Sequence, residues 1–402
     1  MVRQSSQISP AARPCPAAQR CGACSGGMVP YGDQLAAKDR VLADLFAEWI
    51  ASGTELRPIW GMDDPFHYRN KVTSPFAPGK RGPNGGRQIL FGMYAPGTHR
   101  IVPKEGCLIE SEGAQEVIAS LPPLMKRHRL APYDEDRGSG FLRHAIVRVG
   151  HESGEMLLTL VTNGEPFPGS KAFCRDLLKR CPQVTTVVQN INTAATNTIL
   201  GQRERRLYGP GFILDRLCGL SFRISSRSFY QVNATQTAVL YERAMALAEL
   251  SGCRRAIDAY CGTGTIGLVA ASRGAAEVVG VDTVESAIRD AAENARHNGL
   301  GNARFAAADA ADFMEAQAAA GQGADVVFLD PPRSGCSRPF LEALGALGPR
   351  RIVYISCNPR TQRDDLRHLA RFGYKVPVIE AVDMFPHTDH IESIAVLQKS
   401  EG

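Results

Sequence analysis

Ser356-Cys357-Asn358-Pro359 closes an apolar run that begins at Arg351, so a thiol stands where a strand gives way to a helix. A helix restarting at Thr361 would aim the positive end of its dipole at Cys357. Arg360 and Arg363 add charge that favours thiolate over thiol. The competing reading is a buried cysteine packing as a small hydrophobe. Two carboxylates fit the same chemistry. Asp330-Pro331-Pro332-Arg333 ends a second apolar run, and its two prolines stiffen the loop and remove two backbone donors. Farther on, Met384-Phe-Pro-His387-Thr-Asp-His390-Ile-Glu392 brings two imidazoles and a carboxylate to the junction of two late strands. Glu392 stands in an otherwise apolar strand, Ile391 to Leu397. It is either at an exposed strand start or desolvated with a raised pKa, and the latter suits a general base.

A second group of residues suits a nucleotide-like ligand. Asp258-Ala-Tyr260-Cys-Gly262-Thr-Gly264-Thr265-Ile-Gly267 follows one strand and opens a helix, where free N–H groups and absent side chains let a ligand approach. The spacing also satisfies G-x-G-x-x-G, so a dinucleotide site competes. Asp282 ends the next strand, where a carboxylate can hold both ribose hydroxyls, and Asp309 after the third strand is placed to meet an adenine amino group. Tight-turn glycines with solvated carboxylates are the plainer alternative.

A third group is metal-like. Cys15, Cys21 and Cys24 lie together and Cys107 lies remote. Three clustered thiols with one distant thiol suit a tetrahedral zinc site or an iron-sulfur cube, and spacing alone leaves both open.

The elements that must position these residues follow from pattern. Leu42, Leu45, Phe46 and Trp49 recur with helical spacing. Short β-rich runs at 88–94, 145–149, 156–161 and 184–189, punctuated by Gly, Pro and Asn, predict a mostly antiparallel central domain. After 226, five strands alternate with helices: 255–260, 277–282, 303–307, 325–330 and 351–357. Two late strands at 376–382 and 391–397 form an antiparallel hairpin. The expected architecture is therefore α/β. A cysteine-rich N-terminal segment with its helix (1–58) and the β-rich domain (59–225) precede a doubly wound, Rossmann-like domain (226–402). In such a sheet ligands bind at the carboxyl ends of the strands, which places Asp330 and Cys357 in one crevice beside the glycine loop.

At 402 residues, with 22% charged and 44% hydrophobic residues, the chain reads as a globular protein of two or three domains. No apolar run is long enough to span a membrane, and residues 1–14 carry no apolar signal core, so a cytoplasmic location is expected. Eleven cysteines then point to metal binding or thiol chemistry rather than disulfides. Net charge of +5 is compatible with a polyanionic partner.

These motifs together resemble the S-adenosylmethionine-dependent RNA uracil-C5 methyltransferases, the family that makes 5-methyluridine in tRNA and ribosomal RNA. The resemblance covers about the last 175 residues. It rests on Ser228-Phe229-Tyr-Gln231-Val-Asn233, the 258–264 loop, Asp330-Pro-Pro-Arg333, Ser356-Cys-Asn-Pro359 and the 385–392 ending. It implies that Cys357 is the nucleophile and Glu392 the base. Gln231, Tyr260, Gly262, Gly264, Thr265, Asp282, Asp309 and Asp330 would surround the cofactor, and Phe229 and Asp330 the base. Tyr260 stands where the family often has Phe, a change that keeps stacking. Ribosomal RNA members carry a 4Fe-4S cluster on four cysteines arranged as Cys15, Cys21, Cys24 and Cys107 are, which favours iron-sulfur over zinc and 23S ribosomal RNA over tRNA. The larger members begin with a small β-barrel for which no room is expected here. RNA contacts would then come from Lys71, Lys80, Arg81, Arg87, Arg100 and the Arg203–Arg206 cluster. A monomer acting on RNA, with neither membrane nor DNA as partner, is the expectation. The rivals are a nicotinamide-dependent oxidoreductase and a non-catalytic iron-sulfur RNA-binding module.

Overall fold

The computed structural model describes residues 15–25, 29–82, 86–104 and 106–400. The reading of residues 1–14 as lacking a signal core lies outside them. Two large sheets carry the molecule. The C-terminal sheet runs Glu55–Leu56, Tyr374–Val382, Glu392–Lys399, Arg351–Ser356, Val326–Leu329, Arg255–Ala259, Glu277–Asp282, Ala303–Ala307 in spatial order. Only Glu392–Lys399 runs antiparallel to its neighbours, and it is inserted between two strands that point the other way. The helices Thr265–Ser272, Glu285–His297, Ala310–Ala319 and Arg338–Leu347 connect the parallel strands, as the alternating pattern predicts. Successive residues of one strand serve opposite faces. Val326 and Phe328 enter one apolar core, whereas Val327 and Leu329 enter the other.

The central sheet orders Ile101–Pro103, Arg87–Tyr94, Lys71–Arg81, Leu142–Val149, Met156–Thr162, Val184–Ile191 and Arg203–Tyr208. All its pairings are antiparallel except Met156–Thr162 with Val184–Ile191, which the helix Ser170–Arg180 connects. That helix and Glu112–Arg127 cover one face through Val117, Leu121, Leu124, Phe173 and Leu177. Lys71–Arg81 escapes a strand reading because Pro75 and Pro78 interrupt it. The Ser74 hydroxyl accepts from the Gly92 amide at 2.9 Å, so a side chain serves the neighbouring strand beside the first proline.

The N-terminal helix Tyr31–Leu45 does not stand apart. Tyr31, Leu35, Leu42, Phe46 and Trp49 share a core with Leu366, Leu369 and Ile379 of the C-terminal sheet and its helices. Burying each such side chain contributes roughly 1.5–3 kcal/mol. Glu55–Leu56 then pairs parallel with Val378 and Ile379 and extends that sheet by one strand.

Candidate active site

Strand order brings the chemical residues together. Ser356 and Ser393 are directly opposed across the antiparallel pair, so Cys357 at the end of one strand lies beside Glu392 at the start of the next. Asp330 follows Leu329, which pairs with Tyr354 on the other side of the Cys357 strand. Glu392 is buried. Desolvation pushes its carboxyl well above the usual range, the nearby Asp330 adds to this, and Arg333 opposes it. Asp330 is itself raised by burial to about 7. The carboxylate in the apolar strand is therefore the desolvated alternative, not the exposed one.

The helix after Cys357 runs Pro359–Ala370 and begins two residues before Thr361. Proline at its first turn forfeits no hydrogen bond, and the Asn358 side chain caps it by accepting from the Arg360 amide. The expected activation of Cys357 by this helix and by Arg360 and Arg363 needs correction. Burial raises the Cys357 pKa, and Glu392 and Asp330 raise it further. The cation that stabilises its thiolate is Arg333, by charge and hydrogen bond. Arg363 instead pairs with Asp364 at 2.9 Å. The sequence offered Arg333 only as the end of the Asp-Pro-Pro-Arg motif; its reach toward Cys357 depends on how the loop folds back. Cys357, Arg333, His390 and Ile391 line a cavity of about 370 Å3, and Val41 and Leu45 of the N-terminal helix close its side.

A second cleft of about 660 Å3 is lined by Ser228, Phe229, Gly262, Asp282 and Asp290. Phe229 is 70% exposed. The Gly262 amide donates to Asp282 Oδ2 at 3.0 Å, and the Val284 amide donates to Asp282 Oδ1 at 2.8 Å. Gly264 has φ of +80° and precedes the helix Thr265–Ser272; a Cβ there would meet the Phe305 ring at 2.8 Å. The Thr265 hydroxyl meets the Tyr241 hydroxyl at 3.0 Å. Tyr260 also has a positive φ, and its ring lies 5.2 Å from that of Phe340. Gln231 is held through its backbone carbonyl by Asn70. Asp309 caps the helix Ala310–Ala319 by accepting from the Ala311 amide at 2.8 Å. Asp258, absent from the expected site set, is fully buried at the base of the loop. Desolvation raises it to about 8, although the Gly267 amide donates to it at 2.7 Å. A cleft of nucleoside size, beside glycines at a helix start and a carboxylate at the next strand end, fits S-adenosylmethionine.

Cys15, Cys21, Cys24 and Cys107 line one small cavity together with Lys104. A helical turn, Ala18–Cys21, forms among them. Burial raises the Cys24 thiol to about 11, and Cys107, Cys15 and Cys21 all add to that rise. Among the described residues no group of three or more His, Cys, Asp or Glu side chains could hold a metal ion as placed.

Residues 215–400 match the family described as tRNA (uracil-5-)-methyltransferase. An uncharacterised RNA methyltransferase of Halalkalibacterium halodurans is 42% identical over 387 residues, spanning 96% of this chain and 83% of that protein. The chain belongs to this RNA uracil-C5 methyltransferase family. A similar protein of Bacillus cereus is 38% identical over 388 residues, with the same 96% and 83% coverage. The structure of a Pyrococcus abyssi tRNA (uracil-54, C5)-methyltransferase with S-adenosyl-L-homocysteine superposes with a TM-score of 0.76 at 27% identity, covering 96% of this chain and 87% of that one. This family member is accordingly an S-adenosylmethionine-dependent enzyme that methylates RNA, built on the mixed α/β fold with the methyltransferase domain at its C-terminus.

Proposed function

We propose that the enzyme methylates C5 of a uridine in 23S ribosomal RNA, with Cys357 as nucleophile and Glu392 as base. The observation that carries this reading is the abutment of Cys357 and the buried Glu392 on opposed strand ends beside Asp330. C5 of uracil is too weak a nucleophile to attack an alkyl sulfonium unaided. Addition of the Cys357 thiolate to C6 breaks the C5–C6 double bond and delivers its electron pair to C5 as an enolate. S-adenosylmethionine supplies the methyl group that C5 then takes. Glu392 removes the remaining C5 proton, the double bond reforms and the C6–S bond breaks, returning the thiolate. Asp330, whose carboxyl burial raises to about 7, can hydrogen-bond the uracil edge. Gln231, Tyr260, Gly262, Gly264, Thr265, Asp282, Asp309 and Asp330 would hold the cofactor, and Phe229 would receive the base once it is turned out of the RNA stack.

Four thiols around one cavity support a 4Fe-4S cluster on Cys15, Cys21, Cys24 and Cys107, and with it the ribosomal RNA reading. A cube would draw these thiols to iron and stabilise them as thiolates. The similarity to a tRNA uracil-54 enzyme favours tRNA as the second reading. In the domain division at 58 and 225, the middle domain would supply RNA contacts.

Substitution separates the two catalytic roles. Cys357→Ala should abolish methyl transfer while S-adenosylmethionine still binds. Glu392→Gln should permit addition and methylation but stall proton removal, so a protein–RNA adduct should survive denaturing electrophoresis. Full turnover by Cys357→Ala would sink the assignment, as would a folded Glu392→Gln protein without adduct. Mapping the 5-methyluridines lost from 23S ribosomal RNA and tRNA on deletion decides between the two substrates.

A further inference from the structure

Three cations, Lys71, Arg148 and Arg69, gather near the loop that carries Phe229, and no carboxylate is among the groups acting on Lys71 or Arg148. Lys71 and Arg148 are directly opposed in the antiparallel pairing of Lys71–Arg81 with Leu142–Val149, so their side chains share one face of the central sheet. Arg148 is only 5% exposed. One of its terminal nitrogens donates to the Ser228 carbonyl at 2.5 Å, and its Nε is buried with no partner among the described residues. The groups acting on Lys71 are burial, Arg148 and Arg69, all of which lower its pKa, to about 8. Burial alone acts on Arg148, lowering it to about 10. No carboxylate enters either balance. Buried charge without a counter-charge is costly, and a bound anion would offset that cost.

The same stretch fixes the Phe229 loop. The Asn70 amide donates to the Val232 carbonyl at 2.8 Å, the Asn70 side chain donates to the Gln231 carbonyl at 3.2 Å, and Arg69 bridges Asn233. Phe229, adjacent to the residue that Arg148 holds, is 70% exposed. An exposed aromatic face beside uncompensated cations matches a nucleotide in both its parts, stacking for the base and charge for the phosphate.

We propose that Lys71, with Arg69 and the buried Arg148 behind it, forms the phosphate subsite for the nucleotide whose base is received at Phe229. The subsite rests on the RNA reading above. Arg148 keeps the Ser228 carbonyl, and with it Phe229, in place, whereas Lys71 and Arg69, both half-buried, meet the phosphate oxygens. The cofactor's own carboxylate is the competing anion, and the test separates the two.

The full-length protein is titrated with a fluorescein-labelled, uridine-rich single-stranded RNA decamer over a range of salt, and separately with S-adenosylmethionine. Lys71→Gln should weaken RNA binding about five- to tenfold at low salt and flatten the slope of log affinity against log salt by roughly 0.7, one phosphate's worth on a single strand. Lys71→Arg should restore both, and S-adenosylmethionine affinity should stay at the wild-type value. Arg69→Gln should repeat the pattern if Lys71→Gln does not fold. Unchanged RNA affinity and salt slope in a folded variant would overturn the subsite. Loss of S-adenosylmethionine affinity in place of RNA affinity would overturn it too, assigning the anion to the cofactor. RNA binding needs no turnover, so wild-type protein that binds RNA and salt-titrates as expected but transfers no methyl group would count against the catalytic reading alone.

Discussion

Asp330 and Glu392 are two desolvated carboxyls that an enzyme can use only at some expense to stability. Asp330 is raised from 3.8 to about 7 by burial, so the folded state holds its proton more tightly than the unfolded chain does. Its contribution is fully present below about pH 4 and is lost as the pH rises through about 7. Asp330→Asn, which cannot ionise, should therefore melt above the wild type at pH 8 and match it near pH 4. The gain should be a few kcal/mol at most, at roughly 1.4 kcal/mol per pKa unit. A melting curve against pH checks this, and equal melting temperatures at pH 8 would refute it. Activity should move the opposite way. Cys357 and Glu392 are both raised, and in the proposed roles both would have to lose a proton, so kcat/KM should climb through neutral pH toward the alkaline side.

At the scale of elements, the helix Tyr31–Leu45 acts as a clamp on the segment leading to Glu392. Lys38 Nζ bonds Asp383 at 2.6 Å and the Tyr31 hydroxyl donates to the same carboxylate at 2.7 Å. The Gln34 side chain accepts from the His387 amide at 2.9 Å. Both members of the Lys38–Asp383 pair are buried, so removing one strands the other. Lys38→Met should cost about 3 kcal/mol, read as a lower denaturant midpoint, and Lys38→Met with Asp383→Leu should recover much of it. A single variant as stable as wild type would show that the pair holds nothing. Because Val41 and Leu45 of the same helix wall the Cys357 cavity, Lys38→Met should also lower kcat.

For the whole molecule, Cys107 lies far along the chain from Cys15, Cys21 and Cys24 yet lines the same small cavity, so the proposed cluster would cross-link the two segments. Anaerobically purified protein should be brown, with about four iron and four sulfide per chain. Cys107→Ala should lose the colour and speed proteolysis before residue 30, while S-adenosylmethionine binding at the distant Gly262–Gly264 loop persists. Stoichiometric zinc without labile sulfide would refute the cube but keep the cross-link, whereas metal-free, fully active protein would remove both. In the described residues no helix is long and apolar enough to cross a membrane.

The sequence by itself determined where the parallel strands end and which reactive residues stand there, because strand, turn and capping signals are local. Asp330, Cys357 and the Gly262–Gly264 loop all sit within a residue or two of an apolar run. Local pattern also yields the antiparallel ending, since 374–382 and 392–399 are separated by too short a connection for a crossover helix. Only the tertiary structure decided which strand lies beside which. Insertion of Glu392–Lys399 against Arg351–Ser356 is what sets Glu392 beside Cys357. The sign of the Cys357 shift was equally out of reach, because it depends on burial and on two carboxyls brought from other strands rather than on the helix that follows it. Lys71 was visible as one cation among many. Its opposition to Arg148, seventy-seven residues on, is a matter of register, and no local signal carries register across such a distance.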